Sequence, residues 1–138
     1  MNEPAHPNAA PAKELTILIV DDSAMMRTMI KRAAGLSGLP IQHIFEAANG
    51  QQGLEVLEQQ RVDALFTDIN MPVMTGIELL RRIAGQERWR DMIRVVISTD
   101  GSEARRGEAA ALEVHLYVEK PFRPEVMRDV LASLTAAR

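Results

Sequence analysis

Five short apolar runs alternate with amphipathic stretches along almost the whole chain, and this alternation limits the possible folds more than any other feature. The runs are Leu15 to Val20, Ile41 to Phe45, Ala64 to Thr67, Ile93 to Ser98 and Val114 to Val118. Each has the length and the flanking turn residues of a buried strand. The stretches between them repeat apolar residues at three and four residue steps. Met26, Met29, Ile30 and Ala33 follow Ser23, and Leu54 and Leu57 follow Asn49-Gly50-Gln51-Gln52. Thr75-Gly76-Ile77-Glu78 has the form of a capping box, in which hydroxyl and carboxylate each accept from a free backbone N–H. Ser102 to Leu112 is Ala-rich, and Pro124 opens a last stretch carrying Val126, Met127, Val130, Leu131 and Leu134. Strand and helix alternating five times predicts an α/β fold, a doubly wound five-stranded parallel sheet with helices on both faces.

The 138 residues, 46% hydrophobic, suffice for one domain. A chain of this size removes roughly two thirds of its unfolded surface from water. Residues 1–13 hold three of the seven prolines and no large aliphatic residue after Met1, the composition of a flexible tail, which leaves 14–138 as the domain. The absence of Cys excludes a disulfide framework and thiolate chemistry and suits a reducing compartment. A net charge of -3 carries no basic signature of a nucleic-acid partner. The apolar runs fall far short of the roughly 20 residues that span a bilayer. No basic stretch leads into an apolar one at the N-terminus, so no signal peptide is expected.

The ends of the predicted strands carry the chemistry. Asp21-Asp22 follows the first, Asp68 the third, Lys120-Pro121 the fifth, and Ser98 closes the fourth. Binding sites of open parallel sheets lie beyond these carboxyl ends, so the topology gathers Asp21, Asp22, Asp68, Ser98 and Lys120 into one place. If the first and third strands are neighbours, about 5 Å apart, Asp22 and Asp68 bring like charges together. Either one carboxyl takes a proton or a cation sits between them. A small hard cation bound by oxygens fits best, and Mg²⁺ is the natural choice. Zn²⁺ prefers nitrogen or sulfur, and His6, His43 and His115 show no ligand spacing.

These residues resemble a known pattern. Val20-Asp21-Asp22-Ser23, Thr67-Asp68-Ile69-Asn70-Met71-Pro72 with Gly76, Ile97-Ser98-Thr99 and Tyr117-Val118-Glu119-Lys120-Pro121-Phe122 are similar to the response-regulator receiver domains of two-component signalling, within them the single-domain, CheY-like chemotaxis type. The resemblance implies a flavodoxin-like sheet in the order 2-1-3-4-5. It also implies that Asp68 accepts a phosphoryl group from a histidine kinase as 4-aspartylphosphate, and that Asp21, Asp22, Asp68 and the backbone carbonyl of Asn70 hold Mg²⁺. Lys120 and Ser98 would contact the phosphoryl oxygens, Pro121 would follow a cis peptide bond, and Ser98 with Tyr117 would relay the event to a partner surface on the fourth helix, fifth strand and fifth helix. A cytoplasmic, monomeric signalling protein acting on a flagellar motor switch protein is the implied setting. It would not be a conventional enzyme, but would catalyse its own phosphotransfer and autodephosphorylation. Two positions depart from the common pattern: Ser98 stands where Thr is frequent, and Thr99 where a small Ala is frequent.

Other readings compete with these. A phosphorelay shuttle, or a receiver that regulates another enzyme by docking, uses the same site. An aspartyl-phosphate phosphohydrolase needs an acid two residues after its nucleophile, and that position is Asn70. A DNA-binding regulator would need a helix-turn-helix module after the receiver, and none is expected here. Arg27, Arg81, Arg82, Arg105 and Arg106 read as solvated helix faces, and Met25, Met26 and Met29 as helix packing. Met71 and Met74 shape the loop beside Asp68. Trp89 reads as a partly covered loop residue without a role, and His43 and His115 as ordinary surface or strand-end residues.

Overall fold

The computed structural model describes residues 14–136. The elements are β1 (Leu15–Val20), α1 (Ala24–Leu36), β2 (Ile41–Ala47), α2 (Gly50–Gln59), β3 (Ala64–Thr67), α3 (Gly76–Ile83), β4 (Ile93–Ser98), α4 (Glu103–Ala111), β5 (Leu116–Glu119) and α5 (Pro124–Ala136), with a single 3₁₀ turn at Glu87–Trp89. The strands pair in parallel in the order β2-β1-β3-β4-β5, as the resemblance implies. The expected tail, 1–13, lies outside the described residues.

Successive strand residues point to opposite faces, and the three central strands are apolar on both. Leu18, Val20, Leu65 and Val96 enter one core with Leu54, Leu57, Leu79, Leu80 and Ile83 of α2 and α3. Ile17, Ile19, Phe66, Val95 and Ile97 enter the other with Ile30, Ala33, Met127 and Leu131 of α1 and α5. Burial on both faces explains why these runs read as continuous apolar segments rather than as alternation.

Local signals set most helix starts. Ser23, Asn49, Thr75 and Ser102 each accept an N–H from three residues further on, satisfying a donor the helix itself leaves free. Only half of the expected box at Thr75 forms. Its hydroxyl accepts from the Glu78 N–H at 3.2 Å, while the Glu78 carboxylate turns outward to Arg82.

Several expectations are corrected. β2 runs on to Ala47, and β5 begins at Leu116 rather than Val114. The chain first leaves α4 through Glu113 at φ +69°, and the Val114 N–H still bonds to the Ala109 carbonyl. Met25 and Met29 are exposed, and only Met26 packs against the core. Trp89 is buried, donates to the Leu57 carbonyl and is covered by the Arg88 guanidinium.

Candidate functional site

Strand register builds the site. Val20 pairs with Thr67, so Asp21 and Asp68, the next residues, emerge level with each other from adjacent strands. Backbone bonds fix both exits: the Asp68 N–H donates to the Val20 carbonyl at 2.9 Å, and the Asp21 N–H to the Ala47 carbonyl at 3.0 Å. Ser98 pairs with Glu119 at the end of β4, and the Lys120 N–H donates to the Ser98 carbonyl at 2.8 Å. The Lys120–Pro121 peptide bond is cis.

Lys120 crosses back to the acids. Its Nζ lies 2.9 Å from Asp21 Oδ2 and 3.2 Å from Asp68 Oδ2. The second Asp68 oxygen accepts from the Ile69 N–H at 2.7 Å, and the second Asp21 oxygen from the Ser23 N–H at 2.9 Å. Asp22 is exposed where Asp21 and Asp68 are buried, and one carboxylate oxygen from each of the three lies within 4.8 Å of the others. Three carboxylates facing one ammonium leave an excess of negative charge.

Burial dominates the electrostatics of Asp68. It pushes the carboxyl above the usual aspartate range, against the charge of Lys120 and the Ile69 N–H and together with the charge of Asp21. For Lys120, burial pulls the ammonium down, but the hydrogen bond and charge of Asp21, then those of Asp68, outweigh it and the net direction is up. Donors that are all oxygen, two of them buried, fit a small hard cation. Asp21, Asp22 and Asp68 are the residues able to hold it.

The loop after β3 is shaped around Asp68. Gly76 opens α3 directly beneath it, where a Cβ would collide with the Asp68 carbonyl, and its N–H donates to the Ile69 carbonyl at 2.9 Å. Met71 and Met74 are buried there, while Asn70 is exposed. Ser98 is fully buried and its hydroxyl accepts from the Asp100 N–H at 3.1 Å. Ser102 caps α4. Tyr117 is half-buried, and its hydroxyl donates to the Asp100 carbonyl.

Three arginines read as featureless, or passed over, in the sequence prove to be engaged. Arg27 donates to the Asp21 carbonyl at 2.6 Å and to Glu46 at 2.9 Å, bracing the acidic turn from α1. Arg106 lies over the Tyr117 ring. Arg94 is buried inside β4 and donates to the Trp89 and Met92 carbonyls, while its Nε has no partner among the described residues. Its backbone N–H donates to His115 Nδ1, so His115 also has a structural place. Arg94 left one signal in the sequence, a lone charge inside an apolar run.

Comparison with known proteins gives a consistent result. Residues 17–132 match the response regulator receiver domain family. The chain is 36% identical over 120 residues to the chemotaxis protein CheY of Pseudomonas aeruginosa, covering 87% of this chain and 95% of that one. It is 34% identical over 118 residues to a CheY homolog of Campylobacter jejuni, covering 85% and 89%. Among solved structures, the chemotaxis response regulator CheY4 of Vibrio cholerae superposes with a TM-score of 0.78 at 28% identity, covering 88% of this chain and 99% of that chain. With its sheet order, its acidic strand ends and these relatives taken together, the chain belongs to the response regulator receiver domain family, a family of signalling domains.

Proposed function

We propose that this chain is a chemotaxis response regulator in which Asp68 accepts a phosphoryl group from the phosphohistidine of a histidine kinase. One Asp68 oxygen attacks phosphorus, the phosphorus–nitrogen bond breaks, and the imidazole leaves with its electron pair and takes up a proton. The observation that supports this most directly is the position of Lys120 Nζ, 3.2 Å from Asp68 Oδ2 and 2.9 Å from Asp21 Oδ2. An ammonium there can follow charge from the carboxylate onto the incoming phosphoryl oxygens. Mg²⁺ held by Asp21, Asp22, Asp68 and the Asn70 carbonyl would offset charge on the same oxygens.

Burial helps to orient the nucleophile. With one Asp68 oxygen bonded to the Ile69 N–H at 2.7 Å, attack falls to the other, which Lys120 holds at 3.2 Å and releases as it turns to the phosphoryl oxygens. The Ser98 hydroxyl, held by the Asp100 N–H, can turn its own hydrogen toward a phosphoryl oxygen. Moving it alters the loop that also receives Tyr117, which gives the phosphoryl group a route to the surface of α4, β5 and α5. A flagellar motor switch protein is the partner this reading assigns, and the cytoplasm its compartment.

Incubation with acetyl phosphate and Mg²⁺, followed by intact mass measurement, tests the central step. One phosphate is expected on the wild-type chain and none on Asp68→Asn. An equal mass shift in that variant overturns the assignment.

A further inference from the structure

Tyr117 is held from two sides. On its inner side the hydroxyl donates to the Asp100 carbonyl, and the Asp100 N–H donates in turn to Ser98 Oγ at 3.1 Å. On the other side the Arg106 guanidinium stacks over the ring, its central carbon 4.7 Å from the ring centroid. Arg106 is itself anchored twice. Its Nε donates to the Gly101 carbonyl at 3.2 Å, and its Nη2 pairs with Glu119 at 3.3 Å. Tyr117 and Glu119 are two residues apart on β5 and therefore share a face of the strand. Gly101 is what lets the carboxylate lie so close, since a Cβ there would collide with it. The side chain of Arg106 is 43% exposed, so filling the core does not account for its position.

Resting on the reading that Ser98 and Tyr117 relay phosphorylation, we infer that Arg106, braced by Glu119 and the Gly101 carbonyl, is a positioning residue that holds Tyr117 against the Asp100 carbonyl before any phosphoryl group arrives. The switch therefore starts biased toward the turned-in ring, and Arg106 sets the size of the bias. A planar guanidinium can stack and fork toward two acceptors at once, which an ammonium cannot do.

The chain has one tyrosine, so 3-fluorotyrosine incorporation gives one fluorine signal. Its exposure to a soluble paramagnetic chelate is read in the full chain without phosphodonor, then after acetyl phosphate and Mg²⁺. Loss of an exposed cation–π contact is expected to lower the ratio of turned-in to turned-out ring about three-fold in Arg106→Gln. Glu119→Gln, which leaves the arginine but removes its brace, is expected to move the ratio the same way by a smaller amount. Arg106→Lys should recover only part of the wild-type shielding. Circular dichroism checks that each variant folds, and Glu119→Gln decides if Arg106→Gln does not. A fluorine as shielded in the folded Gln variants as in wild type overturns the inference, as does a fully accessible fluorine in wild type. Failure of Asp68 to take phosphate would sink the proposed function but not this test, because the ring is read before the donor is added.

Discussion

Asp68 is a carboxylate placed where its charge is unwelcome. Burial holds its carboxyl above the ordinary value of 3.8, so the folded chain binds that proton more tightly than the unfolded chain. Stability then falls as pH rises from the ordinary aspartate value through the folded one. Lys120 has the opposite placement: its ammonium is held above 10.5, so its contribution is complete at neutral pH and is lost only on the alkaline side. Thermal melts in chelator should therefore show Asp68→Asn melting above wild type at pH 7, with the gap closing as pH falls through the raised folded value to the ordinary aspartate value. A variant melting below wild type at pH 7 would mean that the Lys120 contact outweighs burial. Asp68 and Lys120 were legible from sequence because a charged residue directly after an apolar strand has few structural uses. Arg106 was not, because an arginine on a helix reads the same whether it is solvated or stacked on a ring formed by a distant strand.

At the scale of elements, the loop from β3 into α3 is the tightest piece of the machinery. Gly76→Ala places a methyl group against the Asp68 carbonyl and is expected to cost about 3 kcal/mol, measured by urea denaturation, and to slow phosphorylation of Asp68. Gly107→Ala is the matched control, since a Cβ within α4 meets nothing within 4 Å, and it should add about 0.5 to 1 kcal/mol. Helix starts were legible because Ser23, Asn49, Thr75 and Ser102 act through a side chain three residues from its target. The start of β5 was not, because Val114 and Val118 look alike in a run of apolar residues. What separates them is the left-handed backbone at Glu113, which that residue type does not announce.

For the whole molecule, alternation of strand and helix specified a parallel sheet but not the neighbours within it. Right-handed crossovers permit several orders, and the order 2-1-3-4-5 came from resemblance. That order sets Asp21 beside Asp68, so a divalent cation should stabilise the entire fold. Mg²⁺ is expected to raise the wild-type Tm in a concentration-dependent way. Asp22→Asn should leave the Tm in chelator nearly unchanged, because Asp22 is exposed, and should weaken the response to Mg²⁺. An equal Mg²⁺ response in both would place the cation elsewhere. Lys120 lies 99 residues from Asp21 and 52 from Asp68 in sequence, and it follows a four-residue strand at the sheet's edge, paired among the described residues only with β4. When that edge comes loose, the ammonium and the braced ring leave together while the acids stay behind. On the proposed function, a damaged or half-assembled molecule would fall silent instead of sending a false message, and a count of phosphorylated chains would be a count of intact ones.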